Sequence, residues 1–235
     1  MLNGMKSCYG GNILIIFFIV STSMLPQTYK AVNVKGEVKF QSGTDESWVN
    51  VNEGNLLNND AVVATGSNSS VQLVSDDINF NLKQKSAVST GSIKKMSLDE
   101  LLLALAMEDL INAPKKNDNG TSESTAVYGE DNSAEFPDLN SGPFGIKRLN
   151  GAMQLATNGL TESALVFAKE TYRKYPDTKS IPSYRIYFAN ALFEKSLYEE
   201  ALKEYKEILN LSLSEAQRGS VESLIEDINK VLLSD

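Results

Sequence analysis

The sequence predicts a multidomain chain of α and β parts, a small all-β domain followed by an array of α-helical hairpins. Three observations carry that fold class. Apolar residues alternate with polar ones at period two from Val32 to Val88, interrupted at short intervals by Gly, Asn and Asp. From residue 144 onward the apolar period lengthens to that of a helix. Within this second half, "NGLTESALVFAKETYRKYP" and "KSLYEEALKEYKEILN" align with Ala164 opposite Ala201, an internal repeat of 37 residues.

In the β part, Val32 and Val34, then Val38 and Phe40, alternate around Gly36. Val49 and Val51, Ala61 and Val63, and Val71 and Leu73 follow, and Ile78, Phe80 and Leu82 complete the series. Strands at this spacing suggest a sandwich or roll with hairpin connections. The stretch "TGSNSS" at 65–70 could be read as a phosphate loop, but it feeds the strand-like "VQLV" rather than a helix and contains no Lys. A hairpin is the expected reading, with Gly66 at positive φ and Thr65 or Ser67 bonding the local backbone. Asp76 and Asp77 are expected in a solvated turn, since one acidic pair does not supply the oxygens that Ca²⁺ requires.

"MSLDELLLALAMEDLI" follows. Ser97 and Glu100 have the spacing of a capping box, and Pro114 ends a helix of about four turns. Leu and Met lie around most of its circumference, so burial on more than one side is expected. It would pack across an open face of the β-domain or serve as a docking or dimer helix. Residues 115–142 hold two Lys against six Asp and Glu, a net of −4, with few apolar side chains. That composition reads as a flexible linker.

In the helical half, small residues at helix crossings permit close approach, while Tyr172, Tyr187, Phe188, Leu192 and Tyr205 fill the space between neighbours. Val221, Leu224, Ile225, Ile228 and Leu232 make one apolar stripe, as a capping helix would.

The chain has 235 residues, 42% of them hydrophobic, enough for one or two domains. A net charge of −8 without a basic cluster argues against a nucleic-acid partner. With no His anywhere, Ser-His-Asp triads are excluded, and the commonest transition-metal ligand is missing. The acidic residues fall in turns, linker and helix faces, so no catalytic residue, metal or cofactor is expected. Lys6 followed by the apolar run Ile13 to Leu25 resembles an export signal, with small Ser21 and Ser23 near its end. An uncleaved inner-membrane anchor is the alternative. Cys8 precedes that run, where it has no expected role in the mature protein.

"VKGEVKF" and "WVNVNEGNLLNNDAVVATGSNSSVQLV" resemble the FecR-type extracytoplasmic β-domain, through Val34, Gly36, Val38, Gly54, Leu57, Asp60, Thr65, Gly66 and Ser69. The repeated helical segments resemble tetratricopeptide (TPR) repeats, through Ala164 and Ala168 in one unit, Ala201 and Tyr205 in the other, Gly159 at a turn and Pro176 at a repeat end. These resemblances divide the chain into a signal peptide or anchor (1–30), a FecR-like β-domain with trailing helix (31–113), an acidic linker (114–143) and TPR-like repeats with a capping helix (144–235).

The TPR resemblance implies a peptide groove lined by the first helix of each unit. The positions are Leu149 and Met153 in one and Ile186, Asn190 and Phe193 in the other, unless these pack within the array. Together these expectations describe a non-enzymatic scaffold of the cell envelope, exported or periplasmic, that binds other envelope proteins or peptides. Self-association through helix 97–112 is a further expectation, with membrane contact only through the N-terminal segment. Two alternatives are a membrane-tethered FecR-like signalling component and a glycan-binding module in which Trp48 and Tyr29 stack on sugars.

Overall fold

The computed structural model describes residues 27–112 and 139–234, apart from positions 44, 46, 76 and 141. The expected leader before residue 27 and most of the expected linker lie outside them. Eight strands come first: β1 (Tyr29–Lys35), β2 (Val38–Gln41), β3 (Val49–Asn50), β4 (Leu56–Leu57), β5 (Val62–Thr65), β6 (Ser70–Val74), β7 (Asn79–Leu82) and β8 (Ala87–Ser89). Six helices follow: α1 (Leu98–Asn112), α2 (Phe144–Thr157), α3 (Thr161–Lys174), α4 (Pro182–Glu194), α5 (Tyr198–Ile208) and α6 (Glu215–Leu232).

The strands form two antiparallel four-stranded sheets, ordered β4-β1-β6-β7 and β3-β2-β5-β8. Alternation buries Val63 from one sheet and Val71, Leu73, Phe80 and Leu82 from the other, as expected of a sandwich. In β1 the inward phase differs from the expected one. Tyr29 and Ala31 are buried, whereas Val32 and Val34 are only partly so. Asn33 takes a left-handed conformation (φ 54°), and the pairing with β6 shifts register between Val32 and Lys35. A bulge of this kind resets which side chains face inward. β1 also begins within the expected leader, at a tyrosine whose hydroxyl donates to the Ile93 carbonyl.

The 65–70 stretch is not a hairpin, because β5 and β6 belong to different sheets. It crosses the sandwich edge instead. The positive φ falls on Asn68 (55°) and not on Gly66. Gly66 instead sits in a tight space: a Cβ there would lie 3.0 Å from Asn140 Nδ2, so that side chain would have to shift. Thr65 Oγ1 bonds across the fold, donating to the Lys83 carbonyl at 2.6 Å and accepting from Ser86 N–H at 3.1 Å.

The helices form two hairpins and a final helix, with α2 on α3, α4 on α5 and α6 on α5. Gly159 (φ 81°) makes the first turn, and Ser196 (φ 61°) makes the second. Ala164 and Ala201, the aligned residues of the repeat, are both buried. A true capping box, Ser214 with Gln217, starts α6, whose Val221 and Ile228 are buried.

The β and helical parts share one core and do not stand as separate modules. One apolar core runs from Tyr29 and Ala31 through Leu101 and Leu149 to Ile228. The physical reason lies in α2, which covers the β7 edge of one sheet and the β8 edge of the other. Asn158 Oδ1 accepts from Asn81 N–H (3.3 Å), and Gln154 Oε1 accepts from Lys83 N–H (2.5 Å). Asn150 donates to the Lys85 carbonyl (2.8 Å). These bonds satisfy backbone of the β7 edge, which would otherwise invite another chain, and of the turn that follows it. Gly151 brings the helix against the strand: a Cβ there would lie 2.8 Å from the Ala87 carbonyl carbon and closer still to its oxygen.

The end of the expected linker belongs to this junction. Leu139 is buried with Ala64 and Ala87, and Asn140 donates to Glu37 Oε2 at 2.9 Å. Trp48 meets Phe144 of α2 edge-on, with centroids 5.8 Å apart.

Candidate functional site

Among the described residues, the feature best built to meet another molecule is the outer face of α1. The chain reaches α1 under firm constraint: Ile93 is fully buried, and Ser163 Oγ donates to the Lys94 carbonyl at 2.6 Å. The capping box is present, with Ser97 N–H donating to Glu100 Oε2 (2.7 Å) and Glu100 N–H donating to Ser97 Oγ (3.2 Å). The Ser97 N–H, together with the Ser97 hydroxyl that donates to the same oxygen at 3.0 Å, holds the Glu100 carboxyl below the usual carboxylate range.

α1 lies on α3 and not across an open face of the β-domain, a correction to the first expectation for this helix. Leu101 and Leu105, four residues apart, point inward and are buried. On the same side Glu108 Oε2 meets Arg173 Nε at 2.9 Å, and Asp109 meets Lys203 Nζ at 2.9 Å. Burial is therefore on one side only. The opposite side shows Leu102 at 37% exposure, Leu103 at 63%, Met107 at 54%, Leu110 at 75% and Ile111 at 60%. That leaves on the order of 500 Å² of apolar side chain in solvent, near the top of what monomers ordinarily show.

No family model, curated protein or solved structure matches this chain.

Behind α1 lies a charged cleft of about 270 Å³, bordered by Asp109, Lys169, Tyr172, Arg185, Lys203 and Glu204 among others. Its centre is Arg185, whose guanidinium donates to Glu204 Oε2 through Nε (3.0 Å) and Nη2 (2.7 Å) and to Glu207 at 2.8 Å. Lys169 pairs with the other oxygen of Glu204. Burial pushes the Glu204 carboxyl up, but Lys169 and Arg185 outweigh it and hold the group below the usual carboxylate range. Burial likewise opposes the Arg185 charge, and Glu204 reverses the balance, raising its pKa. The Tyr172 hydroxyl, pushed up by burial, has no hydrogen-bond partner in the fold. Chemically this network ties α3, α4 and α5 together and, through Lys203, holds the C-terminal half of α1.

A pH dependence follows from the lowered Glu204 and Glu170 carboxyls. Groups held below their unfolded values contribute stability above about pH 4.5 and lose it as pH falls through the folded values. The urea midpoint should fall steeply between pH 5 and pH 3. Glu204→Gln should be less stable at pH 7 and show a shallower acid decline, and an unchanged acid limb would contradict this assignment.

The five residues expected to line a peptide groove do not come together as an open site. Leu149 is fully buried, and Met153, Ile186 and Phe193 are partly buried and packed against the core. Asn190 accepts the Tyr205 hydroxyl at 2.6 Å, and Phe193 contacts Tyr198 with centroids 5.6 Å apart. α2 itself is committed to the sheet edges. The proposed sugar platforms fare similarly, since Tyr29 is fully buried and Trp48 packs on Phe144. Asp77 is exposed as expected, while Asp76 lies outside the described residues.

Sequence reasoning placed α1 but not its open face. The only local clue was the acidic pair Glu108–Asp109, which marks the flank that meets Arg173 and Lys203. The Arg185–Glu204 pair carries no local signal, because the two residues come from different helices.

Proposed function

We propose that this chain is a non-enzymatic adaptor of the cell envelope. It would be exported or anchored through its N-terminal apolar segment and built from a FecR-like sandwich closed by TPR-like hairpins. Its work would be protein–protein interaction, with another envelope protein or peptide as the partner class. The single observation that supports this reading is the apolar outer face of α1, held outward by buried leucines and two ion pairs on its inner side. Solvent-exposed apolar surface of this size costs free energy unless something covers it.

The experiment is site-specific photocrosslinking in the full-length chain within its own cells. A photoreactive residue at Leu110 should give protein adducts of discrete mass in the envelope fraction, and the adducts should vanish when Leu103→Lys is added. The same group at Glu226, on the exposed side of α6, should give none. Recovery of the chain in the cytoplasmic fraction, or yields at Leu110 no higher than at Glu226, would overturn the proposal.

A further inference from the structure

The outer stripe of α1 has a symmetry of its own. Ala106 and Met107 lie at its centre, with Leu103 three residues before Ala106 and Leu110 three after Met107. Leu102 lies four before and Ile111 four after. The run "LLALAMEDLI" therefore places matching apolar pairs at equal distances on either side of one point. The remaining positions of the run are half-buried Ala104, buried Leu105 and the paired Glu108 and Asp109, on the side of the helix that meets the body of the protein.

We infer that this face binds a second copy of the chain, α1 packing antiparallel on α1 about a two-fold axis between Ala106 and Met107. The inference rests on the adaptor reading and names its partner. A two-fold interface needs a surface complementary to itself, which is what a stripe with matching halves provides. Leu103 then meets Leu110 of the other copy, Leu102 and Ile111 flank the seam a quarter-turn to either side, and Ala106 lets the helix axes come close. Opposed helix dipoles are favourable in this arrangement. Covering the stripe from Leu102 to Ile111, about 500 Å² on each copy, buries roughly 1,000 Å² in all, the size at which a specific interface begins. A membrane surface fits less well. α1 carries Asp99, Glu100, Glu108 and Asp109 and no basic residue, the wrong sign for anionic lipid.

Engineered cysteines in the full-length chain, in its own membranes, test the geometry. Cys8→Ser removes the single native thiol. Ala106→Cys lies beside the axis and should give a disulfide-linked dimer under mild oxidation. Leu98→Cys should not, because antiparallel packing sets the two copies of position 98 about 25 Å apart along the helices. Differently tagged Leu103→Cys and Leu110→Cys chains, mixed, should crosslink to each other far more than either does to itself. Leu103→Lys in the Ala106→Cys background should lower dimer yield at least tenfold while leaving the circular dichroism spectrum unchanged, since residue 103 is exposed.

Crosslinking at position 98 as strong as at 106 would overturn the antiparallel pair. An adduct at 106 with a different protein would overturn the second copy as partner and leave the adaptor reading standing. With Cys8 restored, an intrachain disulfide from 8 to 106 would also overturn the proposal, by showing the chain's own N-terminal segment on the stripe. No dimer at 106 would sink this proposal, whereas the adaptor reading falls only if the photoreactive residue at Leu110 also gives no adduct.

Discussion

Gly151→Val is expected to drive the helical layer off the β-sandwich at a cost of about 3 kcal/mol. The added side chain has nowhere to go, because its Cβ falls on the Ala87 carbonyl, which is backbone within a paired strand. Neither a rotamer change nor a small shift relieves the overlap. Separation would also strip the neighbouring hydrogen bonds from Gln154 to Lys83 and from Asn150 to Lys85. The single Trp of the chain reports on this junction, since Trp48 packs on Phe144. Its emission should shift to the red in the variant, together with a lower urea midpoint. Unchanged Trp48 emission and a stability loss under about 0.5 kcal/mol would contradict the docking of α2 on β8.

Arg185→Ala is expected to be at least as damaging, at about 3–5 kcal/mol, the range for removing one partner of a buried pair. Arg185 is 7% exposed at its side chain and Glu204 is 11%. Truncating the arginine leaves the Glu204 carboxylate buried with only Lys169 to balance it. The contact of the guanidinium with the Tyr172 ring, 5.7 Å from its centroid, is lost as well. The double variant Arg185→Met with Glu204→Leu should recover most of the loss, because it removes both charges and keeps apolar volume. Denaturant unfolding of the three proteins checks this. A double variant no better than Arg185→Ala would show that packing at this position, and not the stranded charge, sets the cost.

Much of the architecture was legible in the residues. Period-two alternation marks β2, β5, β6 and β7, and the repeat around Ala164 and Ala201 marks two similar helical hairpins. The capping box at Ser97 marks the start of α1. The phase of β1 was not legible, because Asn33 in the left-handed region inserts a register shift that alternation cannot reveal. The 65–70 connection deceived for a related reason: a turn sequence looks the same whether it returns within one sheet or crosses to the other. The docking of α2 was hidden because it runs through the polar side chains of Asn150, Gln154 and Asn158, whose amides satisfy the backbone of the β7 edge and the turn that follows it. The candidate site was half legible, since the helix stood out by its leucines, but which of them face inward depends on α3.

The closure of both sheet edges by α2 has a consequence for how the chain acquires its structure. Synthesis proceeds from the amino end, so all eight strands emerge before the segment that covers them. Until residues 139–158 have followed, the β7 and β8 edges, Ala64 and Ala87 stand open as a template for any strand nearby. The nascent protein therefore passes through a stage vulnerable to misassembly, one that a holding chaperone would shorten. Premature termination before residue 139 would leave a fragment prone to aggregate in place of an independent β-domain.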